Sequence, residues 1–364
     1  MAAVTRHRLA ALVVCLLAVA APSARAQTPA DAAKPVVWVL ATGGTIAGRG
    51  ASPTDLSNYS SGSITGADLV AAVPALAQVA QVKTEQIANV GSSDLNTGHW
   101  LTLAKRLNAL LADPGVSGAV VTHGTDTLEE TAYFLHLTVK SPKPVVVVGS
   151  MRPATAISAD GPLNLLNAVR TAVSADAVGK GVLVVLNDEI MSARDATKTN
   201  TYRVETFKGG ELGLLGYVDE DRVSIYHTTT RRHTTRSEFD VQGLNALPKV
   251  DVLYTYLEPE PGLLKAVVAA GAQGVVFAGV GAGNLSKAVT DAIGALRAGG
   301  GPTQPVLVRT SRVGNGRVIA NREVERLSLV PGDNLNAQKA RILLMLALAR
   351  TKDPKDIARM FSEY

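Results

Sequence analysis

The chain has 364 residues, of which 46% are hydrophobic and 18% charged, with a formal net charge of +5 and one cysteine. That length exceeds what a single core usually accommodates, so two domains are expected. No Lys/Arg run or aromatic platform accompanies the positive charge, which excludes a nucleic-acid partner and leaves a small molecule as the expected ligand.

The first residues read as an export signal. Arg6, His7 and Arg8 precede an apolar stretch from Leu9 to Ala21, and Ala24-Arg25-Ala26 forms a small-residue cleavage site before Gln27. Thirteen apolar residues are too few to span a bilayer, which needs roughly 20. Cleavage after Ala26 shortens the 364-residue chain to 338 and removes Arg6, Arg8 and Arg25. The 36 basic residues become 33 against 31 acids, a mature charge of +2. Cys15 leaves with the signal, so the mature chain has no disulfide or thiolate ligand and suits an oxidising periplasm or the medium. It is expected to be soluble and free of the membrane.

Short β-branched apolar runs follow at Val36 to Leu40, Ala119 to Thr122, Val145 to Val148, Val182 to Leu186, Val252 to Tyr256, Val275 to Ala278 and Val306 to Val308. Continuous apolar runs separated by amphipathic stretches predict α/β architecture, with strands buried on both faces and helical crossovers. Helices are expected over Trp100 to Leu111, over Asn336 to Arg350, and after Asp353, with Asp353 as N-cap and Pro354 in the first turn. The segment Arg49 to Ser63, rich in Gly, Ser and Asn around Tyr59, reads as a mobile loop. Between Ser237 and Lys249 the periodicity lapses, which places the domain boundary near residue 240. The expectation is a signal over 1–26, a larger N-terminal, mostly parallel sheet domain with flanking helices over 27–240, and a smaller C-terminal parallel α/β domain over 241–364.

Three strands run directly into polar, glycine-rich turns: Ala41 to Gly48, His123 to Thr127, and Gly149 to Pro153. Open α/β sheets place ligands at such carboxyl strand ends. On composition alone Gly43-Gly44-Thr45 reads first as a tight structural turn, with a nucleophile loop and an anion cradle as alternatives. It lacks both the P-loop spacing and the complete dinucleotide fingerprint. The second segment puts Thr125 beside Asp126 before Leu128-Glu129-Glu130. Thr125 or Asp126 as a helix cap explains it without chemistry, although a helix start also offers N–H donors to an oxyanion. A threonine hydroxyl needs activation, and Lys198 in a polar loop is a candidate partner that otherwise reads as a solvated lysine. The six histidines are scattered, and no cluster has metal-ligand spacing.

The segments Ala41 to Gly48 and Thr122 to Ala132 together resemble the two signature sequences of bacterial type II L-asparaginases. The resemblance continues through Ser57-Asn58-Tyr59, Gly149 to Pro153, Ser158 to Pro162, Asp195 to Asn200, Gly279 to Asn284 and Asn336 to Arg341. It implies hydrolysis of asparagine to aspartate and ammonia through a threonine acyl-enzyme, with some action on glutamine and without metal or organic cofactor. By the same resemblance Thr45 is the nucleophile, Tyr59 its partner on the loop, and Thr125, Asp126 and Lys198 the second threonine with its activating network. Ser92 holds the substrate's α-carboxylate and Asp126 its α-ammonium. Glu323 aligns with a glutamate contributed by a neighbouring subunit of a homotetramer built from intimate dimers.

Two departures bear on specificity. Many relatives have Gly-Ser-Gln-Asp where this chain has Gly91-Ser92-Ser93-Asp94, and Tyr-x-Tyr-x-Asn where it has Tyr254-Thr255-Tyr256-Leu257-Glu258. One hydrogen bond to a substrate, added or removed, is worth roughly 1–3 kcal/mol, or about tenfold to a hundredfold in preference. Ser93 and Glu258 therefore leave open a glutaminase-asparaginase with comparable rates on both amides. An exported amino-acid-binding protein is the alternative from another class; it has no need of two threonine-centred loops.

Overall fold

The computed structural model describes Ala2, residues 33–300 and residues 304–364. Apart from Ala2, the expected export signal, including Cys15, lies outside the described residues. Lys34–Tyr364 forms one compact unit containing two main sheets. Among the described residues no helix is long and apolar enough to cross a membrane.

In chain order the strands are β1 (Val36–Gly43), β2 (Arg49–Gly50), β3 (Tyr59–Ser60), β4 (Gln81–Val90), β5 (Val116–Thr122), β6 (Val145–Val148), β7 (Val182–Leu186), β8 (Glu189–Ser192), β9 (Thr197–Lys198), β10 (Phe207–Lys208), β11 (Gly216–Val218), β12 (Val223–Ile225), β13 (Val250–Tyr254), β14 (Gly274–Gly279), β15 (Val306–Ser311) and β16 (Leu329–Pro331). The helices are α1 (Gly66–Ala71), α2 (Leu76–Val79), α3 (Thr97–Ala112), α4 (Leu128–Thr138), α5 (Gly161–Val173), α6 (Gly262–Ala269), α7 (Lys287–Ala298), α8 (Arg322–Arg326), α9 (Ala337–Leu348) and α10 (Pro354–Glu363).

The larger sheet has eight strands in the order β12-β11-β8-β7-β6-β5-β1-β4. β4, β1, β5, β6 and β7 are parallel, and β8, β11 and β12 close one edge by antiparallel pairing. The smaller sheet, β13-β14-β15-β16, is parallel throughout. Every expected apolar run coincides with a strand, although β13 ends at Tyr254 and leaves Thr255 and Tyr256 outside it, and the fold is the mixed α/β arrangement that those runs predict.

Strand alternation divides the core into layers. Val145, Val147, Val182 and Val184 point into one apolar cluster, while Val146, Val148, Leu183 and Val185 point into another on the opposite face. The first cluster also contains Leu128 to Leu137 of α4, Ile342 to Leu348 of α9, and Val276, Ala278 and Val308 of the smaller sheet. A single apolar layer, with α4 packed on α9, therefore joins the two sheets. A third cluster, built on Phe277, Ile293 and Leu307, covers the outer face of the smaller sheet.

The end of the chain illustrates how local signals place a helix. Asp353 caps α10 by accepting from the Lys355 N–H, Pro354 opens it, and Ile357, Met360 and Phe361 at helical spacing are buried in the shared layer. Asn336 likewise caps α9, accepting from the Lys339 N–H. The segment Arg49 to Ser63 departs from a plain loop: Arg49 and Gly50 pair with Ser60 and Tyr59 in a two-residue ribbon. That pairing returns Tyr59 to the base of the segment.

Candidate active site

β1 lies between β4 and β5, so the turns after these three strands meet at one end of the sheet. After β1, Gly44 adopts φ 83°, a left-handed conformation that a side chain disfavours. A Cβ there would sit 2.2 Å from the Gly124 backbone, so the turns after β1 and β5 touch main chain to main chain. Thr45–Ala47 then forms one buried 3₁₀ turn. The Thr45 hydroxyl lies 2.7 Å from the Tyr59 hydroxyl. Gly48 is needed for that approach, because a Cβ on it would meet the Tyr59 ring at 2.8 Å.

After β5, Thr127 rather than Thr125 or Asp126 is the N-cap residue of α4. Its hydroxyl donates to the Ser92 carbonyl at 2.8 Å instead of capping the helix. The capping account of Thr125 and Asp126 is thereby corrected: both side chains turn to Lys198. The Lys198 ammonium donates to the Thr125 hydroxyl at 3.0 Å and to the Asp126 carboxylate at 2.7 Å. Thr125 is buried, whereas the Asp126 side chain is 68% exposed and accessible to a ligand. The Ser92 hydroxyl, buried in the 3₁₀ turn after β4, accepts from the Asp126 N–H at 3.2 Å. The structure thus groups Thr45 with Tyr59, and Ser92, Thr125 and Asp126 with Lys198, the two groups meeting at Gly44 and Gly124.

Ser93 is exposed beside Ser92, and Glu258 is exposed after β13 at φ 56°. Glu323, on α8, pairs with the buried Arg309 at 3.1 Å. Among the described residues no hydrogen bond or ion pair joins Ser93, Glu258 or Glu323 to the threonine cluster. No group of His, Cys, Asp and Glu among the described residues has the arrangement of a metal site.

Residues that sequence reasoning passed over support the second threonine. His123 is fully buried, and desolvation lowers its pKa to about 4, so the ring is neutral at pH 7. The Trp100 indole donates to the Thr131 hydroxyl at 2.8 Å, and that hydroxyl lies 2.8 Å from His123 Nε2. With Nε2 accepting, Nδ1 donates to the Gly124 carbonyl at 2.7 Å. The relay fixes the peptide between Gly124 and Thr125, and the Thr125 N–H has no acceptor among the described residues. On the other side Glu129, 5% exposed, accepts from Thr197, Lys198 and Asn336. Periodicity alone does not separate Glu129 from an exposed first-turn glutamate, so the sequence carries no signal for its burial.

A family model described as "Asparaginase, N-terminal" matches residues 36–231, and one described as "Glutaminase/Asparaginase C-terminal domain" matches residues 249–361. L-asparaginase 2 of Bacillus subtilis (strain 168) is 51% identical over 331 residues, covering 91% of this chain and 87% of that protein. L-asparaginase 2 of Escherichia coli (strain K12) is 49% identical over 334 residues, covering 91% and 94%. A glutaminase-asparaginase of Pseudomonas fluorescens biotype A is 44% identical over 352 residues, covering 96% and 95%. The crystal structure of a probable cytoplasmic L-asparaginase from Campylobacter jejuni superposes with a TM-score of 0.87 at 45% identity, covering 91% of this chain and all of that one. With both halves of the chain matched and identities near one half across nine-tenths of its length, this protein belongs to the asparaginase family.

Proposed function

We propose that the protein hydrolyses L-asparagine to L-aspartate and ammonia, with a lesser activity on L-glutamine. The observation that carries this reading is the Lys198 ammonium bonded to both Thr125 and Asp126, beside a Thr45 hydroxyl bonded to Tyr59. In the proposed reaction Thr45 Oγ attacks the side-chain amide carbon and its proton passes by way of Tyr59 to the leaving nitrogen. The C–N bond breaks, ammonia departs and the acyl group remains as an ester on Thr45. The Thr125 N–H is oriented as a donor for the developing oxyanion. Water held by Thr125 and Lys198 then attacks the ester, and its proton returns to Thr45 as aspartate leaves.

In this reading Ser92 and Asp126 bind the substrate's α-carboxylate and α-ammonium. Glu258 and Glu323, which lie apart from the cluster within one chain, act at the site of a neighbouring subunit in a homotetramer of intimate dimers. The division near residue 240 then separates the main catalytic domain from the one that completes the neighbour's site. Export to the periplasm or medium accords with the sequence of residues 1–26. The test is a substrate panel with the purified mature protein, measuring ammonia and acid product. Stoichiometric asparagine binding without ammonia release overturns the reading.

A second reading, comparable rates on both amides, is favoured by Ser93, whose short side chain leaves room beside Ser92 for a longer substrate. Relatives named glutaminase-asparaginase occur at 40–44% identity. Side-by-side kcat/KM on asparagine and glutamine separates the two.

A further inference from the structure

The segment from Arg194 to Lys198 that carries the site lysine is gripped from two directions. From α4 the Glu129 carboxylate, in the first turn after Thr127, accepts from the Thr197 hydroxyl at 3.0 Å through both its oxygens, and from the Lys198 N–H at 3.4 Å. From the start of α9, in the shared apolar layer, the Lys339 ammonium donates to the Arg194 carbonyl at 2.8 Å and the Ala196 carbonyl at 2.5 Å. Asn336 donates to Glu129 at 2.9 Å, and the Lys339 ammonium itself lies 3.9 Å from that carboxylate. Glu129 and Lys339 are almost completely buried, which is costly for two charges unless each answers the other and every polar atom around them is used. A buried pair of this kind is weak evidence for stability and is better explained by a geometric task.

We propose that Glu129, Asn336 and Lys339 form a clamp that sets the position of the Lys198 ammonium against Thr125 and Asp126, so that all three are positioning residues for hydrolysis. β9 is only two residues long and pairs with an equally short β10, so strand pairing by itself is a slight restraint. The clamp supplies the rest. Glu129 and Asp126 both belong to the entry of α4, so the carboxylate holding the lysine's backbone and the one receiving its ammonium move together. Lys339 fixes the preceding residues through their carbonyls and leaves Lys198 free to serve the site. Desolvation pulls the Lys339 ammonium down to about 8, with the Glu129 charge as the largest influence in the other direction, and the group remains mostly charged at pH 7.

The clamp rests on the proposed role of Lys198, and a double-mutant cycle tests the two separately. Lys339→Met is expected to lower kcat on asparagine about tenfold or more while KM stays within about twofold, because ground-state binding groups are untouched. In the Lys198→Met background the same substitution is expected to cost no further rate, since the ammonium it positions is gone. A residue that only stabilises the fold lowers activity by the same factor in both backgrounds; that result, or an unchanged kcat in Lys339→Met, overturns the clamp. If Lys339→Met yields no folded protein, Thr197→Val, which leaves α9 intact and removes the hydroxyl bonded to Glu129, decides by the same cycle. A wild-type protein that releases no ammonia, or a Lys198→Met variant at the wild-type rate, instead overturns the reading of the site and the clamp with it.

Discussion

The two threonines sit at neighbouring strand ends but are held in opposite ways. Thr45 occupies a single 3₁₀ turn, and its hydroxyl partner, Tyr59, comes from a two-residue ribbon within a segment of mostly exposed residues. Thr125 lies at the entry of a helix buried at every position but Glu130, with a fixed peptide on one side and a lysine tied to a buried ion pair on the other. One hydroxyl depends on a surface hairpin and the other on the core. Few buried contacts mean a low local opening free energy, so amides of residues 49–63 are expected to exchange with solvent much faster than those of 194–198. Equal protection of the two segments breaks the comparison.

The largest expected effects come from the hydroxyls themselves. Thr45→Ala and Thr125→Val are each expected to lower kcat by about a thousandfold or more, measured as ammonia release. Near-wild-type turnover in either variant removes that threonine from the chemistry. Gly44→Ala attacks the junction between the two halves. With a Cβ 2.2 Å from the Gly124 backbone and φ 83°, it is expected to cost about 2–4 kcal/mol in a urea titration, with activity falling as well.

Acid tests the buried half alone. Burial holds the His123 and His233 rings down to about 4, and His136 well below its ordinary value, where burial acts with the nearby His233. The unfolded chain binds these protons near pH 6.5, so the stability is fully present above that pH and is lost as pH falls from 6.5 towards 4. His123 alone accounts for up to about 3 kcal/mol of that loss. Unfolding free energies that are equal at pH 7 and pH 4.5 contradict this. Tyr59→Phe probes the surface half. It removes the hydroxyl 2.7 Å from Thr45 and is expected to lower kcat about tenfold to a hundredfold with little change in unfolding midpoint. The smallest effect is in preference: Ser93→Gln is expected to raise the asparagine-to-glutamine ratio of kcat/KM by about tenfold.

The strands and strand-end turns were legible because they depend on local pattern. Val145 to Val148 can be read as a doubly buried strand without knowing its neighbours, and Gly43-Gly44-Thr45 as a special turn from its composition. The pairing of Lys198 with Thr125 spans 73 residues and is invisible to any window. Helix capping is a sound local reading of Thr125 and Asp126, but Thr127 is the residue at the N-cap of α4 and its hydroxyl donates to the Ser92 carbonyl. Glu129 and Lys339 were hidden for a related reason: each looks like an ordinary charged helix residue, and only the packing of α4 on α9 buries them together. Glu258 and Glu323 are a different case, since among the described residues no hydrogen bond or ion pair joins them to the threonines.

The contacts of Asn336 and Lys339 also have a meaning for the order in which the chain is made. Thr45, Thr125 and Lys198 are all synthesised well before α9, yet Glu129 meets Asn336 across 207 residues and Arg194 meets Lys339 across 145. A nascent chain that has folded its eight-stranded sheet still carries an acidic side chain at an uncovered apolar face, without its cation. The contacts of Glu129 and Arg194 with α9 therefore cannot form until the final helices have been synthesised.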